Sequence, residues 1–132
     1  MFGEIGDGTL RELAAHAPLY RHWMTPRLRS GEVIALVVDW PGLGVVASGC
    51  IWFRPEQPRP TAPRTTVPYV FSMYTDPEYR RRGLARRIVR EVLKICRDQR
   101  YSRVVLHAAR PARRLYKSLG FERSWEMRAT LD

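Results

Sequence analysis

A chain of 132 residues, 45% of them apolar, can bury one hydrophobic core and is too apolar for global disorder or a fibrous repeat. No apolar run approaches the roughly 20 residues of a membrane-spanning helix, and residues 1–8 lack the basic and apolar regions of a signal peptide, so the expected compartment is the cytoplasm. The net charge of +10 is lopsided: residues 1–75 are nearly neutral, whereas residues 76–132 hold fourteen arginines and two lysines against seven acids, which asks for a polyanionic partner.

Gly8-Thr9 before Leu10-Arg11-Glu12-Leu13 reads as a helix start, with Thr9 as N-cap and Glu12 completing a capping box. Pro18 interrupts the pattern, and a second helix is expected from Leu19 to about Leu28, carrying Tyr20, Trp23 and Met24. Glu32 to Trp40 is a buried strand by its β-branched, apolar content. Pro41-Gly42-Leu43-Gly44 supplies a turn, and Val45 to Phe53 returns as the antiparallel partner. Residues 54–66 hold Pro55, Pro58, Pro60 and Pro63 without periodicity, a semi-rigid loop. Pro68 to Thr75 is a further strand. From Leu84 to Gln99 one helix face collects Leu84, Ala85, Ile88, Val89, Val92, Leu93 and Cys96, and the other is charged. Arg103 to Ala108 is a strand, Pro111 to Leu119 a short helix stopped by Gly120, and Phe121 to Leu131 a closing strand. Strands beside strands, then strands alternating with helices, imply an α/β (α+β) chain: one domain over residues 1–132, with a mixed sheet covered by helices. Cys50 and Cys96 fall on apolar faces and read as small buried hydrophobes. His16, His22 and His107 show no metal-ligand spacing, so no metal is expected.

The chemistry concentrates at Arg80-Arg81-Arg82-Gly83-Leu84-Ala85, between a strand and the clearest helix. The first turn of a helix leaves backbone N–H groups without partners and carries partial positive charge, so it binds anions. Gly83 keeps side-chain bulk away from that backbone, and Arg80, Arg81, Arg82, Arg86 and Arg87 add guanidinium groups suited to phosphate. A Walker A loop is excluded for want of Gly-Lys-Ser/Thr, and a dinucleotide fingerprint for want of its three glycines.

The same six residues match the Gln/Arg-x-x-Gly-x-Gly/Ala signature, and Leu115-Tyr116-Lys117-Ser118-Leu119-Gly120-Phe121 matches the Leu-Tyr-x-x-x-Gly-Phe element, of GNAT acetyltransferases. In both motifs and their order, residues 32–131 resemble that family, and Glu126-Met127-Arg128 resembles the ending of a bacterial subgroup. The resemblance implies the GNAT fold, a mixed and mostly antiparallel sheet, and transfer of an acetyl group from acetyl-CoA to an amine of a small molecule or protein. It implies that Met73, Tyr74 and Thr75 pair with the pantetheine arm of CoA, that Arg80, Arg81, Arg82, Gly83, Leu84, Ala85 and Arg86 cradle the pyrophosphate, and that Tyr116 is the general acid for the departing sulfur. A phenol, with an ordinary pKa near 10, is protonated at neutral pH and can donate. No general base is evident; Asp39, Glu32 and Glu56 are candidates, and a water relay would need none. A backbone N–H near Met73 or Tyr74 is the candidate for stabilising the oxyanion.

Two features depart from the family pattern. The Asn usual before the Leu-Tyr pair is replaced by Ala109, beside Arg110. Residues 1–8 carry no strand pattern, so the sheet is expected to lack the family's first strand: either the start of the chain is called late, or the edge is left open, and an open edge would favour a homodimer. Tyr20, Trp23, Trp40, Trp52 and the proline-rich loop are the expected acceptor lining. Two other readings stay open: a GNAT-fold domain that binds acyl-CoA without catalysis, and a basic nucleic-acid-binding module. The second is disfavoured by the lack of helix-turn-helix, zinc-finger or RNP motifs, so neither nucleic acid nor membrane is an expected partner. The amine acceptor is not identified by sequence.

Overall fold

The computed structural model of the chain describes residues 10–61 and 63–131. Its sheet runs β1 (Val33–Trp40), β2 (Gly44–Pro55), β3 (Thr66–Thr75), β4 (Val105–Leu106). β2 pairs antiparallel with β1 on one side and with β3 on the other, and β4 joins β3 in parallel, which makes the mixed, mostly antiparallel sheet expected. β2 lies in the middle and is buried from Val46 to Ile51, as a strand covered on both faces must be.

Each face of the sheet has its own core. On one, α2 (Leu84–Asp98) sets Leu84, Ile88, Val92 and Cys96 against Val46, Ala47, Ile51 and Val70. On the other, α1 (Leu10–Ser30) sets Met24 against Val33 and Cys50, with Tyr20, Trp23, Trp52 and Phe71 around them. Burial pushes both thiols, Cys50 and Cys96, up to about 11, in keeping with cysteines used as small apolar side chains.

Three sequence expectations are corrected. Pro18 does not end the first helix: α1 runs unbroken with Pro18 and Pro26 inside it. An interior proline costs about 3 kcal/mol, but Tyr20, Trp23, Met24 and Arg27, spaced as one helical face, dock on the sheet and outweigh the break. Thr25 Oγ1 and an Arg27 guanidinium N–H also donate to the carbonyls of Arg21 and Trp23, beside the one that Pro26 leaves without its N–H donor. The strand expected over Arg103 to Ala108 contracts to Val105–Leu106, because only two residues pair with β3. The closing strand expected over Phe121 to Leu131 is not formed; residues 122–131 are exposed and no strand among the described residues accepts their backbone. Strand propensity without a partner row does not make a strand. The proposed Thr9 cap and the question of a strand before α1 fall on residues outside those described.

Candidate functional site

The site is built where β3 and β4 part. The two strands share only the pairs Tyr69↔Val105 and Val70↔Leu106, and beyond them β3 continues to Thr75 with no strand on that side among the described residues. A parallel pair that diverges leaves a crevice at its carboxyl ends, lined by backbone groups of the longer strand. Met73, Tyr74 and Thr75 lie along that edge, all half-buried.

A bulge shapes the same stretch. Between the pairs Ser48↔Tyr74 and Cys50↔Phe71, β3 carries Ser72 and Met73 against the single residue Gly49. Ser72 is left-handed at φ 52, and its hydroxyl is fixed at 2.9 Å from the phenol of Tyr20 on α1. That phenol titrates above its ordinary value because it is desolvated, a rise that the Ser72 hydrogen bond partly offsets. A bulge leaves backbone groups outside the ladder and re-aims the strand. Gly49 makes the bulge fit: a Cβ there would lie 2.3 Å from Met73 Sδ and 3.0 Å from Ile88 Cγ2. The Met73 side chain thus packs into the α2-side core, leaving its backbone at the crevice. Ser48, opposite Tyr74, buries its hydroxyl without a hydrogen-bond partner among the described residues. Sequence reasoning missed Ser72 and Gly49, since a bulge has no fixed residue code.

The Arg-rich turn adjoins the end of β3. Asp76 ties that end down: its N–H donates to Val46 O at 2.8 Å, and its carboxylate accepts from Glu78 N at 3.1 Å. Arg80 Nε donates to Thr75 O at 3.2 Å. Arg82 stacks on Tyr79 and Trp40, 4.9 and 5.6 Å from their ring centres, so it pins the turn to the end of β1. Arg81 at φ 62 and Gly83 at φ 76 are both left-handed, a curvature of the kind that turns backbone N–H groups toward one side. At Gly83 an added Cβ would meet nothing within 4 Å, so its φ, rather than crowding, calls for glycine. α2 then begins with no side-chain cap and no acid in its first turn, which instead holds Arg86 and Arg87. Cations at the positive end of a helix are unfavourable by roughly 0.3–1 kcal/mol each. Arg81, Arg86 and Arg87 enter no ion pair among the described residues. The arrangement favours an anion.

Tyr116 is carried by α3 (Arg113–Ser118), which the chain reaches from the open end of β4 through a 3-10 turn, Arg110–Ala112. Gly120 at φ 96 reverses the chain so that Phe121 N–H donates to Tyr116 O at 3.0 Å. The two rings meet edge to face at 5.6 Å, which gives the Tyr-x-x-x-Gly-Phe spacing a physical reason. The residue as a whole is only 7% exposed, and burial raises the pKa of its phenol. Ala109, at the place of the family's Asn, gives the 3-10 turn no side-chain cap.

Other expected residues lie elsewhere. Trp40 packs under the Arg-rich turn with Tyr79, on the α2 side, apart from Tyr20, Trp23 and Trp52 on the α1 side. Trp23, Trp52, Tyr69 and Phe71 form a continuous aromatic group on the α1 side. Glu32 accepts from Arg27 Nε and Trp52 Nε1, each at 3.0 Å, and joins α1 to β2. Glu56, at the far end of the sheet, accepts from Arg103, whose hydrogen bond is the main reason its pKa is lowered. There the proline-rich loop borders a cavity of about 310 Å³ with Arg64 and Tyr101, away from the crevice. Asp39 is exposed near the end of β1. Among the described residues no cluster of His, Cys, Asp and Glu could hold a metal, and no helix is long and apolar enough to cross a membrane.

A crevice between parting parallel strands beside an uncapped helix start is the signature geometry of a family of acyl-group transferases. The model of the acetyltransferase (GNAT) family matches residues 9–121, and the chain belongs to that family. Among solved structures, a GCN5-related N-acetyltransferase from Ralstonia eutropha superposes with a TM-score of 0.88 at 26% identity, over 99% of this chain and 85% of that one. An acetyltransferase from Clostridium acetobutylicum, solved with acetyl-CoA, has the same fold with a TM-score of 0.87 at 18% identity, over 98% of this chain and 82% of that one. Human N-acetyltransferase 8 is 41% identical over 58 residues, which are 42% of this chain but only 26% of the human protein.

Proposed function

We propose that the chain transfers an acetyl group from acetyl-CoA to an amine by direct attack with both substrates bound. The observation that carries this reading is the continuity of the crevice with the uncapped start of α2. The β3 edge from Phe71 to Tyr74, unpaired on that side among the described residues, offers N–H and C=O groups to the two amides of a pantetheine arm, and the first amides of α2 offer donors to a pyrophosphate. When bound, acetyl-CoA supplies the activated acyl group. The chain's own residues do the rest. The bulge at Ser72 and Met73 offers backbone N–H groups to polarise a carbonyl oxygen. Tyr116 holds a proton for the departing sulfur, and its burial keeps that proton in place at neutral pH.

The test is titration calorimetry with acetyl-CoA, followed by thiol release against a panel of primary amines. One-to-one binding and amine-dependent thiol release are expected. Absence of binding overturns the reading; binding without release leaves a CoA-binding domain in its place.

A further inference from the structure

His107 is the residue at which β4 leaves β3, one position beyond the last pair, Val70↔Leu106. Val70 and Leu106 face the α2-side core, so the next residue of β4 turns to the other face. There its ring meets Tyr69 edge on at 5.6 Å, and Tyr69 in turn stacks on Phe71. Glu126, from the segment after α3, places Oε2 2.8 Å from His107 Nε2. A carboxylate only accepts, so Nε2 carries the hydrogen, and in the neutral ring Nδ1 keeps its lone pair. The Tyr69 hydroxyl faces that lone pair at 3.4 Å, too long for a strong bond, so an incoming N–H can displace it. The His107 and Glu126 side chains are 54% and 65% exposed, so a solute can reach the imidazole. Among the described residues, Tyr69 and Glu126 are the titratable groups touching His107, and Arg54, stacked on Tyr69 at 4.9 Å, is the cation beside them.

We propose that His107 is the base of the transfer reaction, with Glu126 as its positioning residue; the assignment rests on the reaction proposed above. The acceptor arrives as an ammonium ion and must lose two protons to become an amide. His107 Nδ1 takes the first, which frees the nitrogen lone pair to form the C–N bond, and then releases it to water. The second passes from the nitrogen to water as the C–S bond breaks and Tyr116 gives its own proton to sulfur, and the tyrosinate then takes one proton back from water. One proton is released per turnover, and no oxidant or further reactant is needed. Glu126 fixes the tautomer and steadies the imidazolium.

The experiment uses the full chain with acetyl-CoA and three amine probes, 2-phenylethylamine, spermidine and an alanyl tripeptide. His107→Gln is expected to lower kcat/KM for the amine by about 100-fold or more, to leave acetyl-CoA affinity unchanged and to remove the acid limb of the pH–rate profile. Added imidazole restores part of the rate. Glu126→Gln, at an exposed position that does not threaten folding, gives a smaller loss of kcat/KM for the amine at unchanged acetyl-CoA affinity, and the conservative Glu126→Asp recovers part of that loss. An active wild type whose His107→Gln variant keeps its rate and acid limb overturns His107 while sparing the transfer reaction. A wild type that binds acetyl-CoA but releases no thiol with any probe removes both.

Discussion

At Tyr116, the role proposed in the reaction can be separated by experiment from the part the ring plays in the fold. Most of its ring is buried, while its hydroxyl has no hydrogen-bond partner among the described residues and is not one of the buried polar atoms left unpaired. A hydroxyl that makes no hydrogen bond to the protein adds little to the fold, so its removal is close to neutral. A residue kept only for packing would therefore be as good as phenylalanine, whose ring would keep the edge-to-face contact with Phe121. Tyr116→Phe is expected to melt close to the wild-type temperature, to bind acetyl-CoA as before, and to turn over about 100-fold more slowly. The pH dependence follows in sign. A phenol whose pKa is raised in the folded protein stays protonated beyond its ordinary range. An alkaline limb due to Tyr116 therefore lies above pH 10 and vanishes in the variant. A variant with wild-type turnover would take Tyr116 out of the chemistry.

At the scale of elements, the site depends on a misfit between two strands, which Gly49 makes tolerable. Gly49→Ala is expected to cost roughly 1–3 kcal/mol as overpacking against Met73 and Ile88, read as a lower urea midpoint with an unchanged slope. Met73→Ala in the same chain should return part of that loss, because it removes the clashing sulfur. The helices and strands that this bulge joins were legible in the sequence wherever periodicity is decisive. α2 was legible because its apolar positions recur at helical spacing, and the Arg-rich turn because a glycine and a helix start sit together. The crevice was not legible from pattern alone, since strand divergence is an absence of hydrogen bonds; it entered through the family resemblance. The bulge left no trace, because Ser72 adopts a conformation its residue type does not announce. Pro18 misled, since docking of Trp23 and Met24 outweighs a local break, and Phe121 to Leu131 misled because its strand pattern meets no partner.

For the whole molecule, the charge asymmetry becomes a map of one end of the sheet. The elements that follow β3 and β4 both start at the carboxyl ends of the parallel pair. Arg80, Arg81, Arg82, Arg86 and Arg87 come from the first of these, and Arg110, Arg113 and Arg114 from the second. Neither helix has an acid in its first turn, so the positive helix ends and the arginines act together. A CoA molecule brings roughly four negative charges, about two of them on its 3′-phosphate. Attraction of this kind acts on encounter and is screened over about 10 Å at 0.1 M salt and about 3 Å at 1 M. Raising sodium chloride from 50 to 500 mM is therefore expected to weaken acetyl-CoA binding about tenfold or more, chiefly through a slower association rate. Dephospho-CoA, which lacks the 3′-phosphate, should give a shallower slope under the same conditions, and replacing Arg113 and Arg114 by glutamine should flatten the slope for acetyl-CoA. Stopped-flow binding across that salt series separates the two rates. Association that ignores salt would mean that this basic end does not guide the cofactor and that its charge answers to a different partner.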